Sequence, residues 1–162
     1  MKSVYLETTI ISYLVARPSR DLVVAAHQSV TQEWWEKERP KHRCVVSEEV
    51  VLEAGRGDPA MAKRRLQVIM GLEVLDVSLE MRSMAMELVR SGVFPKSMLS
   101  DAVHISVAMR RQLDYLLTWN CRHMANMAVV ARLERIAQGL GGKLPMIGTP
   151  LELTGGNPDV HE

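Results

Sequence analysis

Short β-prone apolar runs alternate along this chain with longer stretches whose apolar residues recur at helical spacing. Ser3 to Leu6 reads as a strand, and Thr9 to Val15 continues as a helix that Pro18 closes. Asp21 to Glu38 is a long amphipathic helix with Trp34 and Trp35 near its end, and Arg43 to Val46 is a second strand. Ser47 is the expected cap of a helix running to about Gly55, with Glu48 and Glu49 in its first turn, where the helix dipole favours negative charge. Gly57-Asp58-Pro59 breaks the pattern before a helix from Ala60 to Met70. Glu73 to Val77 is a third strand, Glu80 to Arg90 a helix, and Ser100 the expected cap of a helix reaching about Gln112. Tyr115 to Trp119 is a fourth strand, Ala125 to Gln138 a last helix, and Pro145 to Leu153 supplies a candidate edge strand. Strands alternating with helices predict an α/β fold with a central parallel sheet of four or five strands between two helical layers.

Length and composition narrow this picture. A chain of 162 residues with 47% hydrophobic and 24% charged residues suits one globular domain, assigned to residues 1–153, with a polar and disordered tail over 154–162. A formal net charge of +1 excludes nucleic-acid binding through a blanket positive field, so any such contact is a local patch. Two cysteines and a start without a signal-peptide pattern place the protein in the cytoplasm with reduced thiols. No apolar run reaches the roughly 20 residues a membrane span needs.

In a parallel sheet, ligands gather outside the carboxyl ends of the strands. Glu7 ends the first strand and Asn120 the fourth. Glu53 and Asp101 stand on helical stripes that are otherwise apolar or small, beside Val50, Ala54 and Gly57 in one case and Ile105 and Ala108 in the other. A carboxylate on an inward stripe needs a partner, and converging carboxylates repel unless a cation lies among them. Hard oxygen ligands suit Mg²⁺ or Mn²⁺, which can activate water and neutralise a phosphodiester; this is nuclease chemistry.

The segments VYLETTIISYL at 4–14, VSEEVVLEAGRGDP at 46–59, SDAVHISVAMRR at 100–111 and LLTWNCRHMAN at 116–126 together resemble the signature blocks of the PIN-domain family, in order and spacing. The resemblance extends to the VapC-type toxins of type II toxin–antitoxin systems. It implies a PIN-like three-layer α/β/α fold and a metal-dependent endoribonuclease acting on RNA, with a cognate antitoxin protein and a homodimer as expected partners. Glu7 falls where that family has its first-strand aspartate, Glu53 on its helix glutamate and Asp101 on its central aspartate. Asn120 stands where many members carry a fourth acid, and Thr118 matches the hydroxyl residue two positions earlier. The resemblance thus implies Glu7, Glu53, Asp101 and Asn120 around the metal, with Asn120 and Thr118 positioning water or phosphate. Two departures bear on rate: Glu7 is one methylene longer than aspartate, and Asn120 carries no charge. They imply a weak or narrow nuclease, or alternatively a catalytically degenerate PIN-like module that binds RNA or a protein partner.

Arg17, Arg56 and Arg122 adjoin the loops beside the acids and are candidates for RNA phosphates, with solvated arginine as the plain alternative. His104, one turn after Asp101, either faces the cleft or packs in the core. Glu48 and Glu49 read as helix stabilisers, Asp58 and Asp114 as turn residues, and Lys63, Arg64, Arg65, Arg110 and Arg111 as exposed faces. Cys121-Arg122-His123 lacks the partner pairs of a zinc site. A doubly wound phosphotransfer protein is disfavoured, because no glycine-rich loop follows the first strand.

Overall fold

Five short strands lie side by side, all parallel, in the order β3-β2-β1-β4-β5, in a computed structural model that describes residues 1–155. They are β1 (Ser3–Leu6), β2 (Arg43–Ser47), β3 (Glu73–Leu75), β4 (Tyr115–Leu117) and β5 (Met146–Gly148). Among the described residues seven α-helices flank the sheet: α1 (Thr8–Val15), α2 (Leu22–Lys37), α3 (Glu48–Ala54), α4 (Pro59–Ile69), α5 (Leu79–Arg90), α6 (Leu99–Arg110) and α7 (Met127–Leu140). The expectation for the tail falls, from residue 156 on, outside the described residues.

The inner strands are buried on both sides, which is why they read as unbroken apolar runs: Val4, Tyr5 and Leu6 in β1, Val45 and Val46 in β2, Leu116 and Leu117 in β4. Helix α6 is the most enclosed helix, with every residue from Ala102 to Met109 buried. Each large apolar side chain so enclosed contributes about 1.5–3 kcal/mol of transfer free energy. Polar residues set the helix ends. Asp21, Asp58, Ser78 and Asn126 accept first-turn N–H groups at the starts of α2, α4, α5 and α7, and Gly141, at φ +70°, ends α7 in the left-handed region.

Several local expectations change. Strands β3 and β4 stop at Leu75 and Leu117, two residues early, and β5 is confined to Met146–Gly148. Ser47 stands at the N-cap position of α3 but caps nothing, because its Oγ lies 2.7 Å from the Tyr5 hydroxyl. Ser100 lies inside α6, its hydroxyl donating to Glu49 Oε1 at 2.5 Å. Glu49 is therefore buried as a tie between α3 and α6, beyond its first-turn role. Arg110 and Arg111 pair with Glu80 and Asp76. Asp114, at the opposite end of the sheet from the acids, accepts from Lys2 and Ser3. Trp34 is packed, its indole N–H donating to the Leu153 carbonyl at 2.8 Å.

Candidate active site

The strand order places the crevice at the carboxyl ends of β1 and β4, where the chain leaves in different directions from adjacent strands. Glu7 is the first residue beyond β1, and its N–H still donates to the Leu117 carbonyl of β4 at 3.0 Å. Its side chain turns back to cap α1. Oε2 accepts from Thr9 N at 3.1 Å, Thr9 Oγ1 at 2.5 Å and Thr118 Oγ1 at 2.8 Å. Three donors fix one oxygen, and the other, Oε1, lies 4.0 Å from His104 Nε2. Glu7 is almost wholly buried.

Glu53 reaches the same space from α3. Its Oε1 accepts from Thr8 Oγ1 at 2.7 Å and pairs with His104 Nε2 at 2.5 Å. Burial works to raise the Glu53 carboxyl, but the hydrogen bond and charge of His104, the Thr8 hydroxyl and the charge of Arg56 outweigh it and hold the group below the usual range. His104 shows the complementary effect. Burial opposes its protonation, yet the Glu53 hydrogen bond and the charges of Glu7, Glu53 and Asp101 raise its pKa above the ordinary value.

Asp101 lies in the first turn of α6 at the half-buried rim. Its carboxyl is pushed up to about 6, first by burial and then by the negative charges of Glu7 and Glu53, with His104 acting in the other direction. Asn120 donates from Nδ2 to Asp101 Oδ2 at 3.2 Å, while its Oδ1 accepts from His123 N at 3.0 Å. Thr118, fully buried, donates to Glu7 and accepts from Asn120 N at 3.0 Å. Glu7, Glu53 and His104 thus bring one ligand atom each to within 4.8 Å of the others, Asp101 lies near enough to sense the charges of Glu7 and Glu53, and hydrogen bonds link Asn120 to Asp101 and Thr118 to Glu7.

The arginines are more dispersed. Arg17 lines a cavity of about 610 Å³ with Tyr13, Asp58 and Arg65, Arg56 lies near enough to Glu53 to lower its pKa, and Arg122 follows Asn120. All three are exposed, and none forms an ion pair among the described residues.

Residues that carry this geometry without having been singled out from sequence are Thr8, Thr9 and Tyr5, and His104 is packed in the core, fully buried, with one ring nitrogen on Glu53 and the other on Tyr5. Two threonines directly after a strand-end acid, and a tyrosine inside an otherwise aliphatic strand, are the signals that could have found them, since a buried phenol needs a polar partner.

No protein-family model matches the sequence, and no curated relative does. Solved structures do. The sarcin-ricin-loop-cleaving toxin VapC20 of Mycobacterium tuberculosis superposes with a TM-score of 0.58 at 17% identity, over 74% of this chain and 92% of that one. VapBC2 of Rickettsia felis, bound to a DNA fragment from its promoter, gives 0.56 at 16% identity, over 91% and 98%. The fold is that of the VapC-type PIN domains. At these identities the likeness concerns the backbone, so chemistry has to be argued from the side chains.

The donor set suits the divalent cation associated with the PIN fold. Glu7 Oε1, Glu53 Oε2 and the Asp101 carboxylate have hydrogen-bonding capacity to spare, and one imidazole cannot balance three acids. The Asp101 carboxyl is raised first by burial and then by the charges of Glu7 and Glu53, which His104 only partly offsets.

Proposed function

We propose that this PIN-fold chain is a divalent-metal-dependent endoribonuclease of VapC type, with Glu7, Glu53 and Asp101 holding Mg²⁺ or Mn²⁺ and Asn120 beside them. The observation that supports it is the meeting of these acids, from β1, α3 and α6, in one crevice where Asp101 feels the charges of the other two. When bound, the cation supplies Lewis-acid activation of water and neutralises charge on the phosphodiester.

The chain's own groups do the rest. Thr9 and Thr118 hold Glu7 in one orientation, so its extra methylene is taken up by turning the side chain back as a helix cap. Asn120 aims Asp101, and Asp101 at the half-open rim is the acid best placed to meet water or the scissile phosphate. Arg17, Arg56 and Arg122 hold flanking RNA phosphates. The R. felis structure, bound to promoter DNA, supports expecting a DNA-binding antitoxin as partner, and a homodimer is the expected assembly.

The test is cleavage of mixed cellular RNA by the purified chain with Mn²⁺, with EDTA, and as Asp101→Asn with Mn²⁺. Cleavage confined to the first condition is expected; equal cleavage in all three refutes the reading.

A further inference from the structure

His104 has no solvent exposure, yet both ring nitrogens are engaged. Nε2 lies 2.5 Å from Glu53 Oε1, and Nδ1 lies 2.6 Å from the Tyr5 hydroxyl, which in turn lies 2.7 Å from Ser47 Oγ. Tyr5, Ser47 and His104 are each 0% exposed. The result is a dry chain of polar groups that starts at the end of β2, crosses β1 and α6, and terminates on the carboxylate of α3.

A fold of this kind does not need such a chain for packing. Phenylalanine, alanine and leucine would fill the same space without burying polar groups, each of which costs about 1–3 kcal/mol if its partner is lost. What the chain accomplishes is local. Glu53 sits at the half-exposed end of a seven-residue helix, and a free glutamate there would spread over several rotamers at an ordering cost of up to about 2 kcal/mol. The imidazole, held at its far side by Tyr5, engages Oε1 together with the Thr8 hydroxyl and so fixes the orientation of the carboxylate, leaving Oε2 without a hydrogen-bond partner among the described residues.

We propose that His104 is a positioning residue which, braced by Tyr5 and Ser47, fixes the Glu53 carboxylate for cation binding without itself being a ligand. This rests on the metal-site reading above. Hydrogen-bond partners of metal-ligating carboxylates and imidazoles typically matter about 10–100-fold in affinity or activity.

The test is titration of the full chain with Mn²⁺, read from the EPR signal of the free ion, with folding checked by circular dichroism and thermal melting. His104→Leu is expected to weaken Mn²⁺ binding about tenfold or more. His104→Gln, whose amide can still donate to Glu53, is expected to stay within a few-fold of the parent, and Tyr5→Phe to fall between them. Pulsed EPR of the Mn²⁺-bound parent is expected to show no directly coordinated nitrogen. If His104→Leu folds and binds as tightly as the parent, the proposal is overturned. A coordinated-nitrogen signal that vanishes in His104→Gln also overturns it, by making the imidazole a ligand. Should His104→Leu not fold, the other two variants decide: parental affinity in Tyr5→Phe, or loss in His104→Gln as large as the leucine effect expected above, contradicts the assignment. A parent chain that binds no Mn²⁺ refutes the metal-site reading itself, and with it this inference.

Discussion

Replacing Asp101 by asparagine should remove activity and, without added metal, make the protein more stable. The Asp101 carboxyl is pushed up to about 6 from an ordinary 3.8. A rise of about two, at about 1.4 kcal/mol for each, corresponds to about 3 kcal/mol of strain against the ionised form at neutral pH. Because the side chain is half-buried, solvent screening reduces this to about 1–2 kcal/mol. Asparagine keeps an oxygen to accept from Asn120 and carries no charge. For a chain of this size the gain is about 3–6 °C in melting temperature. The pH dependence has a definite sign. An acid whose folded pKa lies above its unfolded value costs nothing below the unfolded pKa, and its penalty grows as pH rises towards the folded pKa. The gap between Asp101→Asn and the parent should therefore be full at pH 7 and shrink to about a third at pH 4.5. The assay is thermal unfolding of EDTA-treated protein at both pH values. A variant no more stable than the parent at pH 7, or a gap independent of pH, would show that burial and charge crowding do not penalise the ionised Asp101 carboxylate.

Thr118→Val removes one of the three hydrogen bonds on Glu7 Oε2 and the acceptor of the Asn120 N–H. Urea unfolding should show a loss of about 1–3 kcal/mol, with weaker Mn²⁺ binding; unchanged values in both would remove the hydroxyl from the account. Replacing Arg17, Arg56 and Arg122 together by glutamine, in the Asp101→Asn background, should weaken binding of single-stranded RNA. It should also make the salt dependence shallower by about 2 in log K against log salt, since each phosphate contact contributes about 0.7. An unaltered slope would return these residues to plain solvated arginines.

Sequence pattern alone located most elements, because strands buried on both faces and capped amphipathic helices leave local signatures. It overran β3 and β4 at their carboxyl ends. At Trp119 the β-prone pattern continues past the ladder, but its N–H goes to Thr9 Oγ1 at 2.8 Å and its ring stacks on His27 at 4.0 Å. Nothing local signals that departure. The neighbours in the sheet were equally unreadable: β1 lies between β2 and β4 through pairings between residues some 40 and 110 apart in the chain. At the site, the acids could be singled out because a carboxylate interrupts an apolar stripe or ends a strand. The groups that orient them could not. Thr118 to Glu7, Glu53 to His104 and Tyr5 to His104 are contacts between residues roughly 50 to 110 apart, and threonine, tyrosine and histidine in apolar surroundings are as often packing residues as partners. Ser47 and Ser100 show the same limit, since both suggest helix caps by local rule and both spend their hydroxyls across the fold.

The most direct measurement is anomalous diffraction from crystals of the chain soaked in Mn²⁺. The account expects one peak in the crevice, bounded by Glu7, Glu53 and Asp101 and within coordination distance of their oxygens, and its loss in Asp101→Asn crystals. No peak there at saturating Mn²⁺, with the three carboxylates in the positions described, would contradict the claim that they share a divalent ion.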